Sequence, residues 1–302
     1  MMQHFFELEA VTRRAPLGLR FIDMVRAVSV NDALVVTTWQ IGTSGPKQTA
    51  ITSPLSGVYG FRTLPGLRRF EVGERPASDW CGSPPDASPP DDLTSSGVLR
   101  DWLSADENAS KANFIVTVED RMDRFQPQLL LMCLPKEHLI EVPLFSSPSR
   151  QAPAGLGVVY GELVTHPGPL PTQPASWSLV TATLDGHTYV AVADARGMFA
   201  LFVPYASALP PLVDGQFPHG SSTIDQLSWS ITIQVSYQPS KQRFVPGVEP
   251  PDILSIMEQG STNVYAQVSA PLPELATVIR FGRDLRVATE GQAELYVDPA
   301  LP

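Results

Sequence analysis

Apolar residues in this chain come in short runs. Many of the runs alternate with polar positions, and most are rich in valine, isoleucine and aromatic side chains. Alternation at period two marks a half-buried strand, so the pattern predicts β-structure along most of the chain. The clearest stretch covers residues 186–204. Residues 187–192 read as a strand, Asp194-Ala195-Arg196-Gly197 as a turn, and 198–203 as an apolar strand closed by Pro204. Gly197 supplies the positive φ of a tight turn, and Pro204 has no N–H to extend a ladder, so a hairpin is expected. A second version lies at 48–65, where Ala50-Ile51-Thr52 leads through Ser56-Gly57 into Val58-Tyr59-Gly60-Phe61.

Further strands are expected at 33–39, 114–119, 128–134 and 139–144, then at 156–164, 177–183 and 229–235. In each half an initial strand, a second strand, a glycine-started run ending at proline, a long loop and an alternating strand follow in the same order. That is a duplication of pattern with little sequence identity. Helices are few. Val98, Leu99, Trp102 and Leu103 have helical spacing, and 251–260 reads as a brief helix capped by Asp252, with Ile253, Ile256 and Met257 inward and Gly260 as its stop. Leu275, Val278 and Ile279 fit either a helix or a strand, and 281–297 reads as a terminal hairpin turning at Thr289-Glu290-Gly291.

These elements divide the chain into an N-terminal segment at 1–15 and a first β-module at 16–147 carrying a Pro/Asp-rich insertion at 74–112. A second β-module follows at 154–238, then a C-terminal extension at 239–302 that packs on the second module or on a neighbour. The clearest linker is Ser146-Ser147-Pro148-Ser149-Arg150-Gln151-Ala152-Pro153. A length of 302 residues suits two modules. The 21 glycines and 30 prolines favour short strands joined by many turns, with long Pro-rich loops between some of them.

A formal charge of −10 without any dense Lys/Arg run argues against nucleic-acid binding. No run approaches the ~20 apolar residues of a membrane helix. Met1-Met2-Gln3-His4-Phe5-Phe6 has neither a basic start nor an apolar core, so no signal peptide and cytosolic synthesis are expected. Of the two cysteines, Cys133 sits among leucines and reads as a small buried hydrophobe, and Cys81 follows Trp80 in a loop. A Cys81–Cys133 bridge is not expected from so few cysteines.

Candidate chemistry is sparse. The histidines at 4, 138, 166, 187 and 219 show no metal-ligand spacing, and His187 with Tyr189 lacks the second pair an iron site would need. There is no Gly-x-Ser-x-Gly and no phosphate-cradling glycine loop. Glu119-Asp120-Arg121-Met122-Asp123-Arg124 reads as a self-paired, solvated turn. No catalytic residue, metal ligand or cofactor is therefore assigned. Trp39, Trp177 and Trp229 lie in strands and read as core. Phe5, Phe6, Trp80 and Trp102 lie where little core is available. They are the candidate partner-docking residues, the alternative being that they pack the loop back onto its own module.

The turn-and-strand pattern at 193–204, with Ser56-Gly57-Val58-Tyr59-Gly60-Phe61-Arg62-Thr63-Leu64-Pro65, resembles the carboxypeptidase-regulatory-like, or prealbumin-like, β-sandwich. Residues 56–66, Arg124-Phe125-Gln126-Pro127 with 142–150, and Pro174-Ala175-Ser176-Trp177-Ser178-Leu179 with 193–197 resemble an accessory protein of phage-tail-like contractile injection systems. The resemblance implies an all-β chain of two tandem Ig-like/prealbumin-like sandwiches. It also implies a non-catalytic, baseplate-associated role in which loops and termini bridge other protein subunits of a large particle. A surface module binding carbohydrate or protein is the alternative, and an enzyme on a sandwich scaffold is disfavoured by the absent constellation.

Overall fold

The computed structural model describes residues 14–43, 45–75, 77, 112–167, 171–205 and 227–300. It is all-β, built as two sandwiches. The first contains β1 (Leu17–Asp23), β2 (Val28–Val30), β3 (Leu34–Gln40), β4 (Gln48–Thr49), β5 (Ile51–Thr52), β6 (Tyr59–Phe61), a short helix α1 (Arg68–Glu71), β7 (Phe114–Asp120), β8 (Gln128–Met132) and β9 (Leu139–Leu144). The second begins with β10 (Leu156–Thr165), β11 (Leu179–Leu184), β12 (His187–Val192), β13 (Met198–Pro204) and β14 (Ser228–Ser236). It continues through α2 (Ile253–Met257), β15 (Ser261–Thr262), β16 (Val264–Gln267), β17 (Ala270–Leu272), β18 (Leu275–Arg280), β19 (Leu285–Arg286) and β20 (Leu295–Val297).

Strand pairing shows how far the duplication goes. In the first sandwich one sheet runs β4-β3-β7-β8 and the other places β1 between β6 and β9, with β9 parallel to β1. In the second, one sheet runs β12-β11-β14-β18, and β10 lies between antiparallel β13 and parallel β19. The seven strands β1, β3, β4, β6, β7, β8 and β9 correspond in order and pairing to β10, β11, β12, β13, β14, β18 and β19, while β2, β5, β15, β16, β17 and β20 have no counterpart. In each, the last strand returns parallel to the first and ties the ends of the module together. Residues 275–280 form a strand, and β18, β19 and β20 all pair within the second sandwich.

Alternation drives each core. In β1, Leu17, Leu19 and Phe21 are fully buried and face Val36, Val116, Val118 and Leu130 of the opposing sheet. In the second sandwich, Val159, Leu163, Leu201 and Val203 face Val180, Ala182, Ile231, Ile233 and Val235. Each of these valine, leucine, isoleucine and phenylalanine side chains contributes about 1.5–3 kcal/mol by leaving water.

Four expectations change. Residues 186–204 do not form one hairpin: β12 pairs with β11, β13 pairs with β10, and the Asp194–Gly197 turn carries the chain from one sheet to the other. The tight hairpin is β11–β12, whose Asp185 and Gly186 both have positive φ (49° and 79°) as a two-residue turn requires. At the C-terminus, β19 and β20 pair with β10 rather than with each other. Trp177 is core at 5% exposure, but Trp39 and Trp229 are only half-buried, Trp39 lying under the Lys47 ammonium. Finally, Cys133 is not a free thiol; it is buried and disulfide-bonded. Peptide mapping without reductant is expected to join it to Cys81, the only other cysteine. A free Cys81 in that map would contradict the prediction.

Candidate interaction surfaces

The two sandwiches are joined through a built seam. The 146–153 segment, a linker by composition, is pinned to the first sandwich. Ser146 bridges Phe125, and the Ser147 N–H donates to the Arg124 carbonyl. Arg150 then turns inward. Its Nη2 and Nη1 donate to Asp23 Oδ2 and Oδ1 at 2.6 and 3.0 Å, and Nη1 also donates to Ser146 Oγ at 2.9 Å. Both side chains are nearly buried (7% and 4% exposed), and the guanidinium lies over Phe125 of the first sandwich and near Phe202 of the second. A bidentate guanidinium–carboxylate pair with aromatic cover is a geometry that repays its desolvation.

A second tie comes from 238–260. Here α2 lays Ile253, Leu254 and Ile256 into the core of the first sandwich, which continues into Trp177, Leu179 and Val192 of the second. Asp252 stands at the cap position of α2, but its carboxylate makes no capping bond. It is fully buried, accepts the Leu131 N–H of β8 at 3.1 Å and pairs with Arg243 at 3.1 Å. Gln259 acts beside it as a junction. It accepts from the Gln238 N–H and the Gln242 amide, and donates to the Trp177 and Ile256 carbonyls. A cavity of about 10 Å³, room for about one water, lies in this seam between Gln126, Phe145, Trp177, Val192, Ile253 and Ile256.

An open groove of about 510 Å³ lies on the outer face of the β13-β10-β19 sheet. Its floor holds Tyr160, with Ala200 and Arg286 paired to it on the flanking strands, and Met198 paired with Glu162 one step along. Pro148, Arg150, Gln151, Ala152 and Asp284 also line it. Tyr160 and Met198 are 40% and 36% exposed, so the floor offers apolar contact rimmed by both charge signs. Such a surface binds by contact and hydrogen bonding.

A satellite cluster lies near the β10–β20 end. His166 stacks on Tyr265 at 4.1 Å and meets Tyr296 edge-on, and the Tyr265 hydroxyl donates to Asp298 at 2.8 Å. Burial, with the Asp298 bond and charge added, pushes the Tyr265 phenol up to about 12. The unfolded chain releases that proton near 10.0, so this group's contribution to stability is intact below that pH and is lost as pH rises towards 12. Burial also raises the Tyr59, Tyr189 and Tyr237 phenols, so ultraviolet titration is expected to show several late tyrosines, of which the step near pH 12 disappears in Tyr265→Phe. At the far end, burial acts to raise the Asp120 carboxyl, but bonds from the Arg124 side chain and from the Arg124 and Met122 N–H groups outweigh it, leaving the group below its ordinary value. That contribution is present above the ordinary carboxylate range and is lost as pH falls through the lowered folded value. The turn is self-paired, as its alternating signs imply.

Of the residues singled out for docking, Phe5, Phe6, Trp80 and Trp102 all lie outside the described residues, as does the helical spacing at 98–103. His187 is exposed beside the turn, Tyr189 is half-buried, and burial pushes His138 below its usual range, with Lys136 adding to it. Among the described residues no group of three His, Cys, Asp or Glu side chains could hold a metal ion, and no helix is long and apolar enough to cross a membrane. Sequence reasoning missed Asp23, Arg150, Tyr160 and Gln259. Only Arg150, a lone cation in a Ser/Pro segment, carried a local signal.

No family model matches the sequence, and no curated protein matches it. Among solved structures the chain is similar to the Bacillus anthracis TIE protein, at 10% identity and a TM-score of 0.20 over 89% of this chain and 44% of that one. The chain thus spans under half the length of that protein, and a likeness at this level carries no argument about function.

Proposed function

We propose that the chain is a non-catalytic structural component of a phage-tail-like contractile injection particle. In this reading it is associated with the baseplate and bridges other subunits through its loops and termini. The setting comes from the sequence resemblance. The observation that supports the mechanical role is the seam: two sandwiches of the same connectivity joined by the buried Asp23–Arg150 pair and by α2. A spacer between subunits must hold its ends at a fixed separation, and a flexible tether would not. The test is whether the protein co-sediments with sheath and tube proteins in a megadalton assembly from native lysate. Recovery as a free small protein, with none in the particle fraction, would sink the reading.

A second reading, a surface module binding carbohydrate or protein, is favoured by the Tyr160 groove and by the Cys133 disulfide, since such bonds persist mainly in oxidising compartments. Glycan-array binding that Tyr160→Ala removes would select it. Array binding unaffected by that change would place recognition away from the groove.

A further inference from the structure

One end of the first sandwich, formed by the turns 24–27, 31–33, 53–58 and 120–124 and strand β2, presents Leu55 at 98%, Met122 at 61% and Val28 at 50% exposure. The last three turns are held against one another. A Cβ at Gly57 would stand 3.3 Å from Asn31 Cβ, and the Arg121 N–H donates to the Ala33 carbonyl at 2.9 Å. Arg124 ties Asp120 to Asp32 through its guanidinium. Five non-glycine residues among those described have positive φ, and Ala27 (53°), Ala33 (60°) and Asp123 (53°) are three of them. Left-handed backbone at alanine is costly, and it persists here because surrounding bonds over-determine it. The exposed apolar side chains are therefore carried on preorganised turns, which lowers the ordering cost of binding.

The charge of this end sets it apart. Arg26, Arg121 and Arg124 balance Asp32, Asp123 and the buried Asp120 that Arg124 holds, so the turns sum to zero and the rest of the chain carries the whole −10. Two copies repel across most of their surface, but not here. A patch that carries both charge signs beside exposed apolar side chains is also able to pair with itself under a twofold axis, where the same patch faces itself.

We propose that this end is a self-association surface at which two copies of the chain pair about a twofold axis, with Leu55 at its centre and Arg26 and Arg121 facing Asp32 and Asp123 of the other copy. The pairing goes beyond the structural role proposed above, and its failure would leave that role untouched.

Sedimentation velocity on the full chain, over a concentration series reaching about 100 µM, tests it. The expected result is a reversible monomer–dimer equilibrium whose dissociation constant rises at least about tenfold in Leu55→Asp. Because Leu55 contacts almost nothing within its own copy, the thermal midpoint should stay unchanged, separating lost pairing from lost folding. Arg121→Asp should weaken the dimer, and adding Asp123→Arg should restore it by exchanging the two signs. A wild-type chain that remains monomeric throughout, or a dimer as tight in Leu55→Asp as in wild type, would overturn the proposal.

Discussion

Replacing Gly197 by alanine is expected to destabilise the second sandwich by about 4 kcal/mol, whereas Gly186→Ala should cost only about 1 kcal/mol. The two glycines have nearly the same backbone, with φ of 81° and 79°, so any penalty for placing an L-residue in the left-handed region is shared. They differ in what a side chain would meet. A Cβ at Gly186 finds nothing within 4 Å, whereas one at Gly197 would lie 2.3 Å from the Leu163 carbonyl oxygen. That oxygen cannot move cheaply, because it accepts the Ala175 N–H, and the Leu163 N–H in turn donates to the Gly197 carbonyl. Asp194 fixes the turn from the other side by accepting the N–H groups of Arg196 and Met198. Alanine at 197 must push the turn away from β10 and loosen the crossing between the sheets. Urea unfolding of both variants measures the difference, and equal losses would show that the close approach contributes nothing.

That turn also shows what was legible in the sequence. The strand at 228–236 could be read directly, because burial on one face of a sheet imposes period-two alternation on the residues themselves, and those at 34–40 and 114–120 by their β-branched and aromatic content. Their partners could not be read. An aspartate that bonds two amides ahead of a positive-φ glycine makes the same turn whether the next strand returns in its own sheet or crosses to the other. The sequence at 193–198 is therefore silent on which occurs. The 281–297 stretch misled for the same reason: two short alternating runs flank a Gly turn, but both find a common edge on β10. Asp252 reads as a cap from its position before an apolar helix, but the carboxylate is spent on β8, over a hundred residues away. Cys133 is buried among leucines, as its neighbours imply, and those neighbours say nothing about a disulfide. Long-range partners leave no local trace, so the seam that makes two modules one unit stayed invisible.

The largest loss tied to that seam is expected from Arg150→Met, about 3–5 kcal/mol, because the change strands a buried carboxylate rather than merely deleting a contact. Methionine keeps a flexible apolar stem beneath Phe125 and Phe202, so packing should suffer little. What remains is Asp23 at 4% exposure with only the Val25 N–H still donating to it. Pairing Arg150→Met with Asp23→Asn removes the charge together with its partner. The double variant should recover much of the loss, and the coupling energy from the cycle isolates the pair from its surroundings. Position predicts a second signature. Asp23 belongs to β1 and Phe202 to β13, so the guanidinium couples sandwiches that otherwise meet through α2 and the Trp177 contacts. Calorimetry of the wild-type chain should show one cooperative transition, and Arg150→Met should split it, with one sandwich melting ahead of the other. If the variant kept a single transition at an unchanged midpoint, the ion pair would be ornamental and the stiffness of the spacer would rest on α2 alone.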